Sequence, residues 1–530
     1  AYVTTMMGDL WRVSGLDETL NKVSWQRCAS GLNLPMGICI IKDEIYVLCR
    51  DRIMKLKDLN KDYEIDAFET HHHLHQFYGL ISQNLNSDAQ GHLYFNNNNG
   101  IYKVSADGKQ LKRIGHGARN SFGLGVRADG LSVTDSSEGN NNNGTCTIYE
   151  SDHQENKNTV AKMKRIFYLP RGIDNSPGSR LFASDPRFGP LSKNIIGLSY
   201  GAGSYYMMIR DANEGHPQAA IMPLPGDLAS GACRLTSNPA DGQVYITGFD
   251  GWGDYAVQEG CFHRLRYTGK KALVPQKWQA HTNGLAITFN SPVDKESLNS
   301  TAFFVQQWNY RDSHHTYGSN EYSVKKPNEI GHDHLAVKSI KILEDQKTVF
   351  FEISGLEPAM CTQIYGEIKG LDASKVKLNL FATINKLRQD NPAGKSTGRT
   401  KDLALKVPTH ANNGATYQKM LAFFDKKAGR DVVKRPVGQS VKYKAKDLNY
   451  AWINKHIIQK QCIMCHSKGT QHDFSTYEGL KAKIDLKRPK KSHIYGMVSS
   501  QSMPPYPMQT VAPEMQQALI EWIKRGAPEK

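Results

Sequence analysis

The sequence predicts a multidomain, mainly β chain: a six-bladed β-propeller, an Ig-like β-sandwich, and a small all-α domain at the C-terminus. Three observations predict it. Short strand patterns recur through the first half, most of them starting 44 to 50 residues apart. Alternating apolar and polar runs of a different character fill residues 276–390. From about residue 440 the pattern turns helical around the sequence Cys462-Ile-Met-Cys465-His466.

The length of 530 residues suits several domains. Hydrophobic residues make up 39% and mean hydropathy is −0.54, enough for ordinary cores and too little for a membrane protein. No apolar run approaches the roughly 18 residues of a spanning helix. Lys+Arg of 67 against Asp+Glu of 51 leaves a net charge of +16, which is compatible with nucleic acid, an acidic partner or plain solubility.

The repeated strands are Asp9–Val13, Ile53–Leu56, Ile101–Val104, Cys146–Tyr149, Ile196–Tyr200 and Phe262–Tyr267, several preceded by a second strand such as Glu44–Leu48 or Gln243–Thr247. Asp-Gly turns punctuate them at Asp107-Gly108, Asp129-Gly130 and Asp241-Gly242. A period in the 40s means a propeller over residues 1–275, with Asp9–Val13 expected to supply a strand of the last-closing blade. Counting short strands leaves a seventh blade open. The sandwich over 276–390 rests on Gly284–Asn290, Ala302–Tyr310, Val337–Lys341, Thr348–Ile353 and Gln363–Ile368. Residues 391–439 read as a polar linker with a short helix at Tyr417–Phe424, and 440–530 as the terminal domain.

Cys462, Cys465 and His466 carry the strongest chemical signal. Two thiols about one helical turn apart add to the two vinyl groups of haem c, and the adjacent imidazole ligates the iron. A thioredoxin-like CxxC has no obligatory His, and a zinc site would need a second ligand pair. Ser502-Met503-Pro504-Pro505 offers Met503 as the sixth ligand, with Met508 and Met497 as competitors. The closing helix Ala512–Arg525 puts Leu519, Trp522 and Ile523 on one face. The stretch 440–530 resembles a class I cytochrome c domain. Attachment of haem c outside the cytoplasm, and the start at Ala1-Tyr2-Val3, predict an exported periplasmic or extracellular chain without its signal peptide. The other seven of nine cysteines are scattered singly and make no disulfide framework.

Two clusters in the propeller are candidate chemistry. Asp58, Asn60, Asp62, Asp66 and Glu69 fall at positions 1, 3, 5, 9 and 12 of a calcium-loop template, although Tyr63 replaces the glycine at position 6; a solvated acidic loop is the alternative. Of the imidazoles at 71, 72, 73 and 75, which cannot all face one ion, His75 is the candidate general base.

Arg119-Asn120-Ser-Phe-Gly123-Leu124, followed by Asp135 at a strand end, resembles the quinone-pocket stretch of the soluble quinoprotein sugar and sorbosone dehydrogenase superfamily. The resemblance implies Arg119 and Asn120 for a pyrroloquinoline quinone cofactor and His75 for proton abstraction. Most of the chain, through His75–Leu80, Phe188–Gly201 and Ser230–Trp252, resembles exported haem-binding propeller proteins of planctomycetes and verrucomicrobia. That likeness adds Arg187, Arg234, Asp250 and Trp252 as pocket residues. The lysine and extra arginines that hold the quinone carboxylates in the soluble enzymes lack clear counterparts. The expectation is an oxidoreductase acting on a sugar, a polysaccharide-derived substrate or another alcohol, with Arg119 and Arg234 stabilising developing negative charge and electrons passing through haem c to an acidic redox partner. A non-catalytic electron-transfer or docking cytochrome is the alternative. Nucleic acid has no recognised motif here.

Overall fold

The computed structural model describes residues 1–75, 81–138, 144–151, 162–170, 172–174, 176–251, 258–311, 318–393, 405, 437–463, 466, 473–499 and 509–530. It is mostly β-sheet, with few and short helices.

Six consecutive antiparallel sheets fill the first half. They are β1 (Tyr2–Thr4), β2 (Leu10–Ser14) and β3 (Ser24–Ala29); β4 (Gly37–Ile41), β5 (Glu44–Leu48), β6 (Arg52–Lys57) and β7 (Ala67–His73); β8 (Gln83–Ser87), β9 (Leu93–Asn97), β10 (Gly100–Val104) and β11 (Leu111–Gly115); β12 (Leu124–Val126), β13 (Ser132–Ser136), β14 (Thr147–Ser151) and β15 (Lys164–Tyr168); β16 (Pro177–Phe182), β17 (Ile195–Ser199), β18 (Ser204–Asp211) and β19 (Gln218–Pro223); and β20 (Gly231–Ser237), β21 (Val244–Phe249) and β22 (Gly260–Leu265). Each sheet is a meander whose first strand neighbours the first strand of the next, from β1 to β4 and onward to β20, a propeller-like arrangement about a common axis. The apolar residues that marked the strands are the ones buried between sheets: Ile53, Ile101, Ile148 and Ile196 are fully buried.

The ring closes differently from expectation. The Asp9–Val13 strand does not join the last sheet; β2 is the middle strand of the first sheet, paired with β1 and β3. Side chains make the seam instead. Arg264 on β22 donates to the carbonyls of Leu16, Asp17 and Glu18 at 3.4, 2.7 and 3.1 Å, and Phe262 meets Trp25 of β3 edge-on at 5.5 Å.

Two further sheets follow, β23 (Pro275–His281), β24 (Gly284–Phe289), β27 (Val337–Ile342) and β28 (Thr348–Ile353) facing β25 (Phe304–Trp308), β26 (Asp333–Leu335), β29 (Ala359–Lys369) and β30 (Lys375–Ile384). The second of these is continuous with the fifth blade, because β30 pairs with β19 through Ala220–Ala382 and Ile221–Phe381, making one sheet of eight strands. The reason is visible in β19 itself. Gln218–Met222 is buried at every position, whereas β7, the outer strand of the second sheet, is largely exposed. A strand apolar on both faces needs cover on both. The side chain of Asn385 ties the joint to the carbonyls of Arg165 and Pro217 at 2.9 and 2.8 Å, and the Trp278 indole donates to the carbonyl of Ile209 at 3.0 Å.

At the C-terminus α1 (Tyr450–Ile453) runs through a π-helical turn (Asn454–Ile458) into α2 (Gln459–Gln461); α3 (Tyr477–Lys481), α4 (His493–Ser499) and α5 (Pro513–Lys524) follow. Pro513 opens α5, where its missing N–H costs nothing. Leu519, Trp522 and Ile523 are fully buried, packing with Ile453, Ile457 and Leu480. The helix expected at Tyr417–Phe424 lies outside the described residues. Among the described residues no helix is long and apolar enough to cross a membrane.

Candidate functional site

In such a meander the chain enters every first strand at one end of the ring, and the turns between second and third strands lie at that same end. The polar chemistry gathers there. Arg234, on β20, points across the axis: its guanidinium donates to the carbonyl of Met36 at 3.3 Å, to Phe122 and its own neighbour Cys233 at 3.3 and 3.0 Å, and to Oε1 of Gln83 at 3.1 Å. It also lies 4.7 Å from the centre of the Phe122 ring. All four acceptors are neutral, so four of the six sheets hold one cation, and among the described residues no carboxylate makes an ion pair with it. Enclosure pulls its pKa below the usual guanidinium value.

Phe122 is held just as specifically. Asp135 accepts from the backbone N–H groups of Phe122 and Gly123 at 3.0 and 2.6 Å, and from Nη1 of Arg180 at 2.7 Å, with both side chains of that ion pair fully buried. Burial raises the Asp135 pKa against the pull of Arg180 and the two amides. The Phe122 carbonyl also accepts from Asn84 Nδ2 at 2.8 Å, and Asn84 Oδ1 takes the hydroxyl of Ser179 at 2.5 Å. Local conformation explains the residue types. Asn120 and Asn84 sit at φ of 47° and 60°, the left-handed region that Asn tolerates better than most residues. A Cβ on Gly123 would drive into the Gly178 carbonyl. Above this layer Phe122, Tyr200 and Phe249 form an aromatic group with ring centres 5.2 to 6.5 Å apart.

Asp174 lies just ahead of β16, is 1% exposed, and takes hydrogen bonds on Oδ1 from Ser199 Oγ at 2.7 Å and the Ser176 amide at 3.0 Å; Oδ2 has no partner among the described residues. Burial pushes its pKa up to about 7, the hydrogen bonds and Arg180 pulling weakly the other way. The sign of the linkage is definite. Between about pH 4, where the unfolded carboxyl ionises, and pH 7 the folded state holds a proton that the unfolded state lacks, so stability falls as pH rises. The full penalty, about 4 kcal/mol, is reached above pH 7. Asp174→Asn should therefore outlast the parent in urea at about pH 8 and match it at about pH 4. Equal midpoints at both pH values would refute this.

The residues singled out by sequence fall in several places. Arg119 and Asn120 do border the site: the Arg119 guanidinium donates to the Glu138 carbonyl at 2.6 Å, Asn120 is exposed, and both lead directly into Phe122. Arg234 is its centre. His75 stands at the outer rim beyond β7, exposed and stacked on His73 at 4.7 Å. Arg187 is at the opposite end, paired with Asp185 at 2.7 Å and donating to the carbonyls of Pro239 and Ala240. Asp250 is exposed beside the aromatic group, and Trp252 lies outside the described residues.

The five residues of the calcium template bond within their own connection. Asp58 spends both oxygens on the amides of Lys61, Asp62 and Tyr63; Asp66 takes the Leu59 amide; Glu69 pairs with Lys57 at 2.5 Å. Asn60 and Asp62 bond each other at 2.9 Å. With Lys61 and Tyr63 in left-handed conformations, the β6–β7 connection folds these side chains onto its own backbone, and among the described residues no group of three or more His, Cys, Asp or Glu could hold a metal.

In the C-terminal helices the His466 amide donates to the Cys462 carbonyl at 3.0 Å, so thiol and imidazole lie one turn apart, and the His466 ring stacks on Phe474 at 4.4 Å. Thiol and imidazole at this spacing fit covalent haem c. Cys465, Met503 and Met508 lie outside the described residues, and Met497 is buried on α4. For a quinone with several carboxylates the fit is partial, since Arg180 is already paired with Asp135 and Arg234 donates to neutral acceptors.

No protein-family model matches the chain, and no curated protein does. Solved structures similar to it include the quinone-bound aldose sugar dehydrogenase of Streptomyces coelicolor, with 12% identity, a TM-score of 0.37, and 50% of this chain and 90% of that one covered. The calcium-binding regucalcin of Agrobacterium tumefaciens has 10% identity, a TM-score of 0.33, and coverage of 46% and 75%. A gluconolactonase of Xanthomonas campestris has 13% identity, a TM-score of 0.32, and coverage of 46% and 76%. Likeness this distant assigns no chemistry to the chain.

Gln83, Asn84, Ser179, Arg180 and Asp174 were invisible to motif reading. The only signal for any of them was the unusual polarity of strands otherwise built to be buried.

Proposed function

We propose that the protein is an exported oxidoreductase that binds a sugar or another alcohol at the Arg234 end of the propeller and sends the electrons out through haem c. The domain division at 275/276, 390/391 and 439/440, and an acidic redox partner drawn by the basic C-terminal region, belong to the same reading. The Cys462–His466 turn carries it, because that arrangement has few uses other than covalent haem. Oxidising a secondary or anomeric C–H/O–H pair to a carbonyl releases two electrons and two protons. When bound, a quinone supplies the two-electron acceptor and haem c the one-electron outlet. The chain's own groups do the rest. Arg234 stabilises negative charge developing at the axis, Asp135 and Arg180 fix the Phe122 peptide against which Arg234 is braced, and His75 is the group we assign to take the hydroxyl proton.

Purified protein reconstituted with calcium and pyrroloquinoline quinone should retain haem after acid extraction and show haem reduction on adding an aldose or polyol. Retained haem that no sugar or alcohol reduces, but a partner cytochrome does, would replace this reading with the electron-transfer alternative.

A further inference from the structure

Past the end of β30 the chain runs between the fifth blade and the sandwich and bonds to both. Toward the blade, the amides of Asn385 and Lys386 donate to Oε1 of Gln218 at 3.0 and 3.2 Å, and Arg388 pairs with Asp211 of β18 at 2.5 Å. Toward the sandwich, the Arg388 amide donates to the Ala280 carbonyl at 2.8 Å, and the Arg388 carbonyl accepts from the Thr282 amide at 3.0 Å. Residues 385–390 are thus a strap across the joint, and His281, the last residue of β23, meets its far end. His281 is 1% exposed, with Nδ1 3.0 Å from the carbonyl oxygen and 3.1 Å from Oδ1 of Asp390. Both are acceptors, so Nδ1 carries the ring proton and Nε2 is left as a lone pair. That nitrogen is buried and has no partner among the described residues. A second proton there would make a buried N–H without an acceptor. The charged groups acting on the ring come from the strap: Asp390, 70% exposed and therefore a weak counter-ion, and Arg388, already a cation. From the sandwich, β24 presents Gly284 and β28 presents Phe350, edge-on at 5.9 Å, while Lys341 of β27 reaches the Ala393 carbonyl further along the chain. Burial holds the His281 pKa below its usual value, with Asp390 opposing. We infer that His281 makes the strap acid-sensitive: the neutral imidazole fastens residues 388–390 to β23, and its protonation releases them.

The direction follows from the depressed value. Once the strap opens, the imidazole titrates near its ordinary pKa of about 6.5. The open form therefore binds more protons as pH falls through that value, and opening becomes easier. Release would free up to about 10 Å of chain where it leaves the sandwich for the C-terminal helices. Neither substrate nor cofactor enters into this. Hydrogen exchange read by mass spectrometry on the full-length protein, corrected for the intrinsic pH dependence of exchange, measures the opening. Protection around Thr282 and Arg388 should fall by up to about tenfold between about pH 7.5 and pH 5.5, while β28 and β29 keep theirs. His281→Asn retains a donor where Nδ1 stood but does not titrate, and should flatten the pH course. Asp390→Asn, at an exposed position, removes the carboxylate that favours the charged ring, and should deepen the fall at pH 5.5. Equal protection at both pH values in the parent overturns the inference, as does a pH course that His281→Asn leaves unchanged. A parallel loss in β28 and β29 would make the effect global and overturn it too. If His281→Asn does not fold, Asp390→Asn decides alone, and a fall no deeper than the parent's counts against the switch.

Discussion

Asp135→Asn should destabilise the protein by about 3–5 kcal/mol, the cost of removing one partner from a buried ion pair. Asp135 is wholly enclosed and serves three donors at once: Arg180 and the Gly123 amide on Oδ1, the Phe122 amide on Oδ2. Asn keeps the shape but has one acceptor in place of two. Its NH₂ would face the Phe122 N–H, donor against donor, and Arg180 would keep its charge without a counter-ion. Arg180 has no solvent to turn to, being 2% exposed. Urea unfolding reads the loss as a lower midpoint at unchanged slope. The double variant Asp135→Asn/Arg180→Met should recover part of it, because an absent pair costs less than a broken one. If the single variant unfolds within about 1 kcal/mol of the parent, Asp135 is not the brace of the Phe122 segment. The same variant should weaken ligand binding at Arg234 beyond its effect on stability, since the Phe122 peptide links the two: its N–H is held by Asp135 and its carbonyl by Arg234 and Asn84.

How far such a brace can be read from sequence is clear from its parts. Asp135 was noticeable, an acidic residue at the end of a strand that should be apolar, and Arg234 stood out by likeness. What the sequence withholds is pairing across long separations. Asp135 and Arg180 are 45 residues apart in different blades, and Arg234 reaches Met36 across 198. The strands themselves were legible because alternation and turn residues are local: Glu44–Leu48 and Thr348–Ile353 are strands with those bounds. The β19–β30 joint was not, because an unbroken buried run such as Gln218–Met222 says that a strand is covered without saying by what. The calcium template meets a related limit. Spacing lists oxygens, and only the turn decides whether they converge on an ion or on the loop's own amides, as Asp58 does. Asp174 hid in a stretch that reads as a polar turn, and its character comes from burial alone.

Cys462→Ser with Cys465→Ser should abolish covalent haem altogether, while His466→Ala should leave the thioether bonds and lose the proximal ligand. On the proposed reading each attachment would form one carbon–sulfur bond as the thiol proton moves to the neighbouring vinyl carbon, so two serines would leave nothing to retain haem through acid extraction. His466 acts differently. Its amide is tied to the Cys462 carbonyl, its own carbonyl accepts from the Phe474 amide at 2.8 Å, and its ring lies against Phe474 at an interplanar angle of 22°. The imidazole is thus oriented by the polypeptide itself. Phe474→Ala should keep the haem and its ligand but loosen that orientation, read as a shifted reduction potential with unchanged haem content. Helix packing should survive His466→Ala, because Leu448, Ile453, Leu480, Leu519 and Trp522 build the core, whereas Phe474 is a buried member of it and its loss should also lower stability. Far-ultraviolet circular dichroism distinguishes lost ligation from lost structure. A parent protein that releases its haem to acid extraction would remove the covalent site, and with it the reason for routing electrons through this end of the chain.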